Sequence, residues 1–351
     1  MRAKLVGPVV VLLLSAVGSS RAQTTPPVPE TLTSGSYTLR LPLGLQASAA
    51  YVPESNPLSR EKVDLGKLLY FERRMSKDNS MSCATCHLPY HGFAEPSATS
   101  EGVTGAVGKR NAPTVINRVF SKEQFWDGRA ADLEEQAHGP LTNPIEMAMS
   151  SHDEVVARLK GIPGYAPLFE KAFGTPEITI ARVAQAIASY ERTVVSGNSP
   201  FDRFTAGDKD ALSTSAVRGL ALFNSKANCQ VCHAGFNFTD ESYHNLGVGM
   251  GASDPDLGRY VVTKAEGEKG AFKTPTLRNV AETPPYMHDG SEPTLRAVVD
   301  FYNRGGRPNP NLAKEIKPLG LTPQEITDLV AFMEALTADV PDLVPPKEFP
   351  K

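Results

Sequence analysis

The 351-residue chain has few cysteines, a single tryptophan and no large excess of either charge. Its formal net charge is −3, so composition gives no basic patch of the kind that a nucleic-acid partner requires. Beyond the N-terminus, no apolar run approaches the roughly 20 residues of a membrane-spanning helix. These absences argue against a nucleic-acid-binding protein and against a membrane-spanning mature protein.

The four cysteines form two copies of one motif, CATCH at 83–87 and CQVCH at 229–233. The motif is typical of c-type haem attachment, in which two thiols bond to the haem and the adjacent imidazole binds the iron. A dithiol redox pair, a zinc site and two disulfides are the alternatives. A four-thiolate zinc site needs no histidine after each pair, and a dithiol motif would not normally occur twice with one. The residues assigned to the two haems are Cys83, Cys86, His87, Cys229, Cys232 and His233.

The N-terminus has the features of an export signal. Basic residues precede the apolar run 9–14, and the small residues Ser20 and Ala22 predict a signal peptide over 1–22, cleaved after Ala22. The alternative is a retained membrane anchor, which the shortness of the apolar run disfavours. Covalent haem is attached outside the bacterial cytoplasm, so we expect a periplasmic protein. Residues 23–50, rich in Thr, Pro and Ser, are predicted to be a flexible leader.

The two halves of the chain repeat one pattern. Each haem motif follows a segment of helical periodicity, and each precedes a Pro-Thr turn, an Asp-Gly turn and a helix. An unbroken register of this kind indicates internal duplication. With no strand-rich region, the sequence predicts a mainly α fold with long loops and two cytochrome c-like haem domains, at 51–200 and 201–351. The repeated pairs, 162 positions apart, include Pro113 and Pro275, Asp127 and Asp289, and Leu133 and Leu295.

Longer segments resemble the bacterial diheme cytochrome c peroxidase family over nearly all of the expected mature chain. Within that family, segment 298–306 (VVDFYNRGG) resembles the MauG branch, whose second haem has a tyrosine ligand in place of methionine. The matching segments are the two haem motifs, 110–114 (RNAPT), 125–129 (FWDGR), 135–136 (EQ), 146–147 (EM) and 283–290 (TPPYMHDG).

The resemblance implies that His233 and Tyr302 bind the iron of the second, electron-transfer haem. An anionic oxygen ligand favours the higher oxidation states of iron and lowers its reduction potential relative to a thioether. The alternative is that Tyr302 is an ordinary helix residue and that a methionine binds the iron. The candidate methionines are Met250, Met287 and Met333.

The first haem is predicted to be peroxidatic, with one open face. The repeat places Pro140 where the second half has Tyr302, and proline offers no donor atom. Many family members close this face with a histidine sixteen residues after the haem histidine, and that position here is Val103. The nearest substitute, His91, is expected to lie too close to reach across. The resemblance assigns acid-base catalysis to Glu146 and an orienting hydrogen bond to Gln136.

Three further assignments come from the family. Trp126 is placed between the two haems, where an indole can carry an electron or a hole, although a core aromatic is the alternative. A calcium ion is expected between the domains at Asn111, Thr283 and Pro285, through one side-chain amide oxygen and two backbone carbonyls. Without the resemblance, nothing in the sequence would select these three positions.

These features together predict peroxide-dependent oxidation with two covalently bound haem c groups. Hydrogen peroxide would react at the first haem, and the oxidising equivalents would be shared with the second haem. The electrons would come from a small cytochrome c or cupredoxin, or from residues of a partner protein that is modified. The alternative is a non-enzymatic diheme electron-transfer cytochrome with both irons fully ligated.

Overall fold

The computed structural model describes residues 28–340 and 344–351. The predicted signal peptide lies outside these residues. In the described part, no helix combines the length and the apolar character needed to cross a membrane. The helices are α1 (Arg60–Tyr70), α2 (Cys83–Cys86), α3 (Leu133–Thr142), α4 (His152–Lys160), α5 (Ala166–Phe173), α6 (Ile180–Glu191), α7 (Pro200–Thr205), α8 (Thr214–Phe223), α9 (Tyr260–Thr263), α10 (Leu295–Asn303) and α11 (Pro323–Glu334).

Two hydrophobic cores confirm the prediction of a mainly α protein with two domains. The first core is formed by α1 and α3 to α6, and the second by α8, α10 and α11. Side-chain caps begin most of these helices, as where Ser59 accepts a hydrogen bond from the amide of Lys62. The strands form two small antiparallel pairs, β1 (Thr31–Ser34) with β2 (Tyr37–Arg40) and β3 (Tyr243–Asn245) with β4 (Ala271–Lys273).

The helix before each haem motif crosses a later helix at a glycine. A Cβ on Gly66 of α1 would overlap the carbonyl oxygen of Ala186 in α6. A Cβ on Gly219 of α8 would overlap that of Asp328 in α11 in the same way. Glycine is therefore required for the close approach of both helix pairs.

The backbone of the two halves repeats in detail. Asn117 and Asn279 both adopt the left-handed region, with φ of 61° and 57°, and each precedes a short 3-10 helix. Gly128 and Gly290 both have φ of 65°. These conformations recur at the 162-residue offset found in the sequence, which supports duplication of one structural unit.

Residues 31–50 do not form the flexible leader that composition predicted, and the prediction is wrong for this part. They form the hairpin of β1 and β2, with a turn at Gly35, where φ is 55°. Leu41 and Leu45 are buried in a small core between the two halves. The Thr, Pro and Ser content obscured a short run of alternating β-forming residues, which is the actual local signal.

The C-terminal segment returns to the first half of the molecule. Val340 and Phe349 pack on the first hydrophobic core. The carbonyl oxygen of Lys351 accepts a hydrogen bond from the amide of Gly164 at 3.0 Å. The region 201–351 therefore contains a tail that packs against the other domain, which helical periodicity alone did not indicate.

Candidate functional site

Both haem motifs are short turns that place the histidine directly after the two sulfurs. The first forms α2, which begins with a capping box between Ser82 and Thr85. The second forms a 3-10 turn after Asn228, whose φ is 53°. In each copy the histidine amide donates to the carbonyl oxygen of the first cysteine at 2.9 Å. The backbone of both motifs is thus closed by the same hydrogen bond.

The two motif histidines have the tautomer that binds a metal through Nε2. Nδ1 of His87 lies 3.3 Å from the carbonyl oxygen of Phe93, and Nδ1 of His233 lies 3.0 Å from that of Phe238. Because a carbonyl oxygen only accepts, Nδ1 carries the proton and Nε2 keeps its lone pair. Burial lowers the pKa of both histidines, which keeps the imidazoles neutral.

The four cysteines are free thiols, so neither motif forms a disulfide. Burial raises the pKa of Cys86 and Cys232 to about 11 and that of Cys229 to about 12. No cluster of metal-binding side chains in the described residues contains both cysteine pairs, which disfavours a four-thiolate zinc site. Unpaired thiols in two separate motifs are what thioether bonding to two haems requires.

One cavity holds the second motif together with the predicted tyrosine. Cys229, Cys232 and His233 line it, and so does Tyr302 of α10. Burial raises the pKa of Tyr302, and its hydroxyl makes no hydrogen bond to any described residue. Two of the three alternative ligands line the same cavity, and these are Met287 and Met333.

The lining of this cavity fits a covalently attached haem. It offers two thiols, an imidazole whose Nε2 is free, and a phenol for the iron. Much of the remaining wall is apolar, as a porphyrin face requires. The apolar residues include Phe223, Leu277, Leu295, Val299 and Leu329.

Glu146 lies beside the first motif. Burial is the main cause of the raised pKa of Cys83 and Cys86, and the Glu146 carboxylate contributes at both thiols. Oε1 of Glu146 accepts a hydrogen bond from Nδ2 of Asn143 at 2.8 Å. Burial also raises the pKa of Glu146, and it outweighs the opposing effects of Arg129 and Asn143. A carboxyl group with these properties can take up and release protons above the ordinary pH range of glutamate.

The other residues predicted for the open face lie on α3 or on the adjoining loop. Gln136 and Pro140 are both in α3, and the Gln136 side chain makes no hydrogen bond to the described residues. The amide of Val103 donates to the carbonyl oxygen of Glu146 at 3.0 Å, so this loop packs next to the acid. Nε2 of His91 is 2.9 Å from the carbonyl oxygen of Pro284, in the other half of the chain.

Trp126 connects the two halves. Its Nε1 donates to the carbonyl oxygen of Asn111 at 2.9 Å, and its own carbonyl oxygen accepts from the amide of Lys273 at 2.8 Å. Trp126 also lines the cavity of the second motif. This position, with partners from both halves, suits a residue that carries charge between the two haem sites.

The three predicted calcium ligands line one cavity. Nδ2 of Asn111 donates to the carbonyl oxygen of Ser97 at 3.0 Å, which leaves its side-chain oxygen as the group available to a cation. The amide of Asn111 donates to the carbonyl oxygen of His288 at 2.7 Å, which ties the first half to the second. The oxygens of Asn111, Thr283 and Pro285 are of the type that Ca²⁺ prefers.

Two buried carboxylates next to the first motif were missed by the sequence analysis. Glu95 acts electrostatically on Cys86 and Glu191 acts on Cys83. Burial raises the pKa of both acids, that of Glu191 to about 8. No local signal could have revealed them, because glutamates at a helix end, such as Glu191, and in loops, such as Glu95, are usually exposed.

Comparisons with known proteins identify the family to which the chain is similar. Residues 60–210 match the family described as di-haem cytochrome c peroxidase, and residues 216–337 match cytochrome c. The methylamine utilization protein MauG of Methylorubrum extorquens is 47% identical over 294 residues, which cover 82% of this chain and 81% of the relative. The cytochrome c551 peroxidase of Nitrosomonas europaea is 38% identical over 316 residues, with coverages of 87% and 91%.

A solved structure described as a MauG-like protein associated with microbial copper homeostasis has the same fold. It is 34% identical, with a TM-score of 0.75, over 82% of this chain and 92% of that protein. Both haem motifs fall within the segments that match these families, and the Nitrosomonas relative is named as a peroxidase. The chain therefore belongs to the diheme cytochrome c peroxidase family, which includes MauG, and is an oxidoreductase with two c-type haems.

Proposed function

We propose that the chain is a periplasmic diheme oxidase in which hydrogen peroxide reacts on an open face of the first haem while Tyr302 caps the iron of the second. The observation that carries the proposal is the asymmetry of the duplicated unit. α10 has Tyr302 in the cavity of His233, whereas the equivalent position in α3 is Pro140, which cannot bind a metal. Periplasmic location is supported by the predicted signal peptide and by the chemistry of covalent haem attachment.

Glu146 is proposed to move a proton during cleavage of the peroxide bond. When bound, the haem iron supplies electrons to peroxide and holds the resulting oxidising equivalents. The carboxylate of Glu146 would accept the proton from the near oxygen and return it to the far oxygen, so that water leaves. Asn143 holds this carboxylate in place, and Gln136 would orient the peroxide by a hydrogen bond.

Trp126 and the inter-domain contacts are proposed to join the two sites. The indole, whose N–H donates to the carbonyl oxygen of Asn111, would pass an electron or a hole between the haems, while the Lys273 amide holds the Trp126 main chain. A calcium ion held by the side-chain oxygen of Asn111 and the carbonyl oxygens of Thr283 and Pro285 would fix the two domains in the geometry that this transfer needs.

Two classes of electron donor fit the proposal. A small cytochrome c or cupredoxin would make the protein a peroxidase, as the name of the Nitrosomonas relative suggests. Residues of a partner protein would instead be oxidised in a MauG-like reaction, which is favoured by Tyr302 and by Val103 in place of the closing histidine.

The second candidate function, a plain electron carrier, would require that both irons be fully ligated.

The reaction with peroxide tests this function. Stoichiometric hydrogen peroxide added to the ferric holoprotein should change the Soret band rapidly, and a reduced small cytochrome c or a partner protein should then be oxidised by two electrons per peroxide. Partner modification would appear as a mass change. A holoprotein that exchanges electrons with the cytochrome but does not react with peroxide would be a carrier, and the proposed function would be wrong.

A further inference from the structure

Tyr243 lies against the turn that carries Trp126. It is the first residue of β3 and pairs with Lys273 of β4, whose amide donates to the carbonyl oxygen of Trp126 at 2.8 Å. A Cβ on Gly128, two residues after Trp126, would overlap the Tyr243 hydroxyl. The hydroxyl of Tyr243 therefore packs against the backbone of this turn at Gly128, although Tyr243 and Trp126 are far apart in the sequence.

The hydroxyl of Tyr243 donates to a carboxylate. Its oxygen is 2.5 Å from Oε2 of Glu123, on the other side of the same turn. Burial raises the pKa of Glu123, but the hydrogen bonds from Tyr243 and Arg259 outweigh it and hold this pKa below the ordinary value. Glu123 is therefore an ionised acceptor for the phenol proton, and with 41% of its side chain exposed it also reaches solvent.

Cations beside the ring determine the form in which Tyr243 could be oxidised. The guanidinium carbon of Arg259 is 4.2 Å from the ring centroid, and Nζ of Lys273 is 5.8 Å from it. Positive charges at these distances disfavour a cation on the ring itself. Loss of an electron from Tyr243 is therefore favourable only if the proton leaves with it, and Glu123 is the acceptor.

Tyr165 provides a contrast within the same chain. Its hydroxyl donates to Oε2 of Glu72 at 2.6 Å, but both residues are buried, and Tyr165 belongs to the first hydrophobic core. Tyr243 is the tyrosine that combines a carboxylate acceptor, contact with the turn of Trp126 and a partner open to solvent. This combination makes Tyr243 the candidate relay beside the turn that carries the single tryptophan of the sequence.

We propose that Tyr243 is a redox relay, which reduces oxidised Trp126 and presents the oxidising equivalent at the surface beside Glu123. The proposal rests on the proposed peroxide reaction, which supplies the oxidant. One electron passes from the phenol of Tyr243 to the oxidised indole, and the O–H proton passes to Glu123, which leaves a neutral phenoxyl radical. A one-electron reductant that docks beside Glu123 then returns the electron, and the proton returns from Glu123.

Rapid-freeze EPR of the holoprotein after addition of stoichiometric hydrogen peroxide, without an electron donor, tests the relay. In protein with ring-deuterated tyrosine, the radical signal should narrow, which identifies it as tyrosyl. Tyr243→Phe should lose this signal, whereas Tyr90→Phe, at a tyrosine that is 80% exposed, should keep it. Glu123→Gln keeps the phenol but removes the proton acceptor, so it should also lose the signal.

The outcomes separate the relay from the underlying reaction. A tyrosyl signal of equal yield in Tyr243→Phe, or a wild-type protein whose haems react with peroxide without forming such a signal, would overturn the relay and leave the proposed function intact. If neither haem reacted with peroxide, the proposed function would fail and the relay with it. Unchanged haem spectra in the resting variants would show that both substitutions leave the fold in place.

Discussion

Replacing Glu146 with glutamine should lower the rate of the peroxide reaction by a factor of about 10² to 10⁴, the range typical of a positioned acid-base group. Glutamine keeps the shape of the side chain and can still contact Asn143, but it cannot accept the proton of the near peroxide oxygen. The two haems should be attached as in the unmodified protein. Stopped-flow absorbance after mixing with peroxide measures the rate.

The pH profile separates proton transfer by Glu146 from a structural role. Burial raises the pKa of Glu146, so the rate should fall on acidification at a pH above the ordinary range of glutamate, as the carboxylate becomes protonated. In Glu146→Gln the rate should no longer show this fall at acidic pH, the acidic limb of the profile. Glu170→Gln, at an exposed glutamate of α5, is the control and should keep both the rate and the limb. A Glu146→Gln variant with an unchanged rate and profile would exclude the carboxylate from proton transfer.

Replacing Tyr302 with phenylalanine should convert the second haem from low-spin to high-spin in the ferric state. The substitution removes the phenol oxygen that is proposed to bind the iron, and phenylalanine has no donor atom. It should also shorten the lifetime of the oxidised state that forms with peroxide, because an anionic oxygen ligand stabilises high oxidation states. Low-temperature EPR and the Soret spectrum measure the spin state.

The cavity itself offers a matched control for this substitution. Tyr286 lines the same cavity, but its hydroxyl donates to the carbonyl oxygen of Val280 at 3.0 Å. Tyr286→Phe should therefore leave the low-spin haem unchanged. Tyr302→Met should keep a six-coordinate haem but raise its reduction potential, since a thioether replaces the oxygen ligand. A low-spin signal that survives in Tyr302→Phe would assign the ligand to another residue, such as Met287 or Met333.

Covalent chemistry explains why the haem sites could be predicted from the sequence. Attachment of a porphyrin requires two thiols and an imidazole at fixed spacing, so a five-residue segment carries the whole signal. The recurrence of asparagine at 117 and 279 has a similar cause, because each residue adopts a left-handed conformation that few other residues adopt readily. Local constraints of this kind act on residues that are adjacent in the chain, so the sequence alone can reveal them.

Contacts between distant segments could not be predicted in this way. The hydrogen bond from Tyr243 to Glu123 joins residues 120 positions apart, and neither neighbourhood has a distinctive pattern. The tail binds Gly164 through the main-chain carbonyl of Lys351, and a main-chain contact does not require any particular residue type. Glu191 was missed because its burial depends on how α6 packs, and a helix-end glutamate is exposed in most proteins.

Low-temperature EPR of the resting ferric holoprotein tests the central asymmetry most directly. One high-spin haem and one low-spin haem, the latter bound by His233 and Tyr302, are expected in equal amounts. Two low-spin haems would mean that a ligand closes the first iron, and the proposed peroxide site would then be absent from the resting protein.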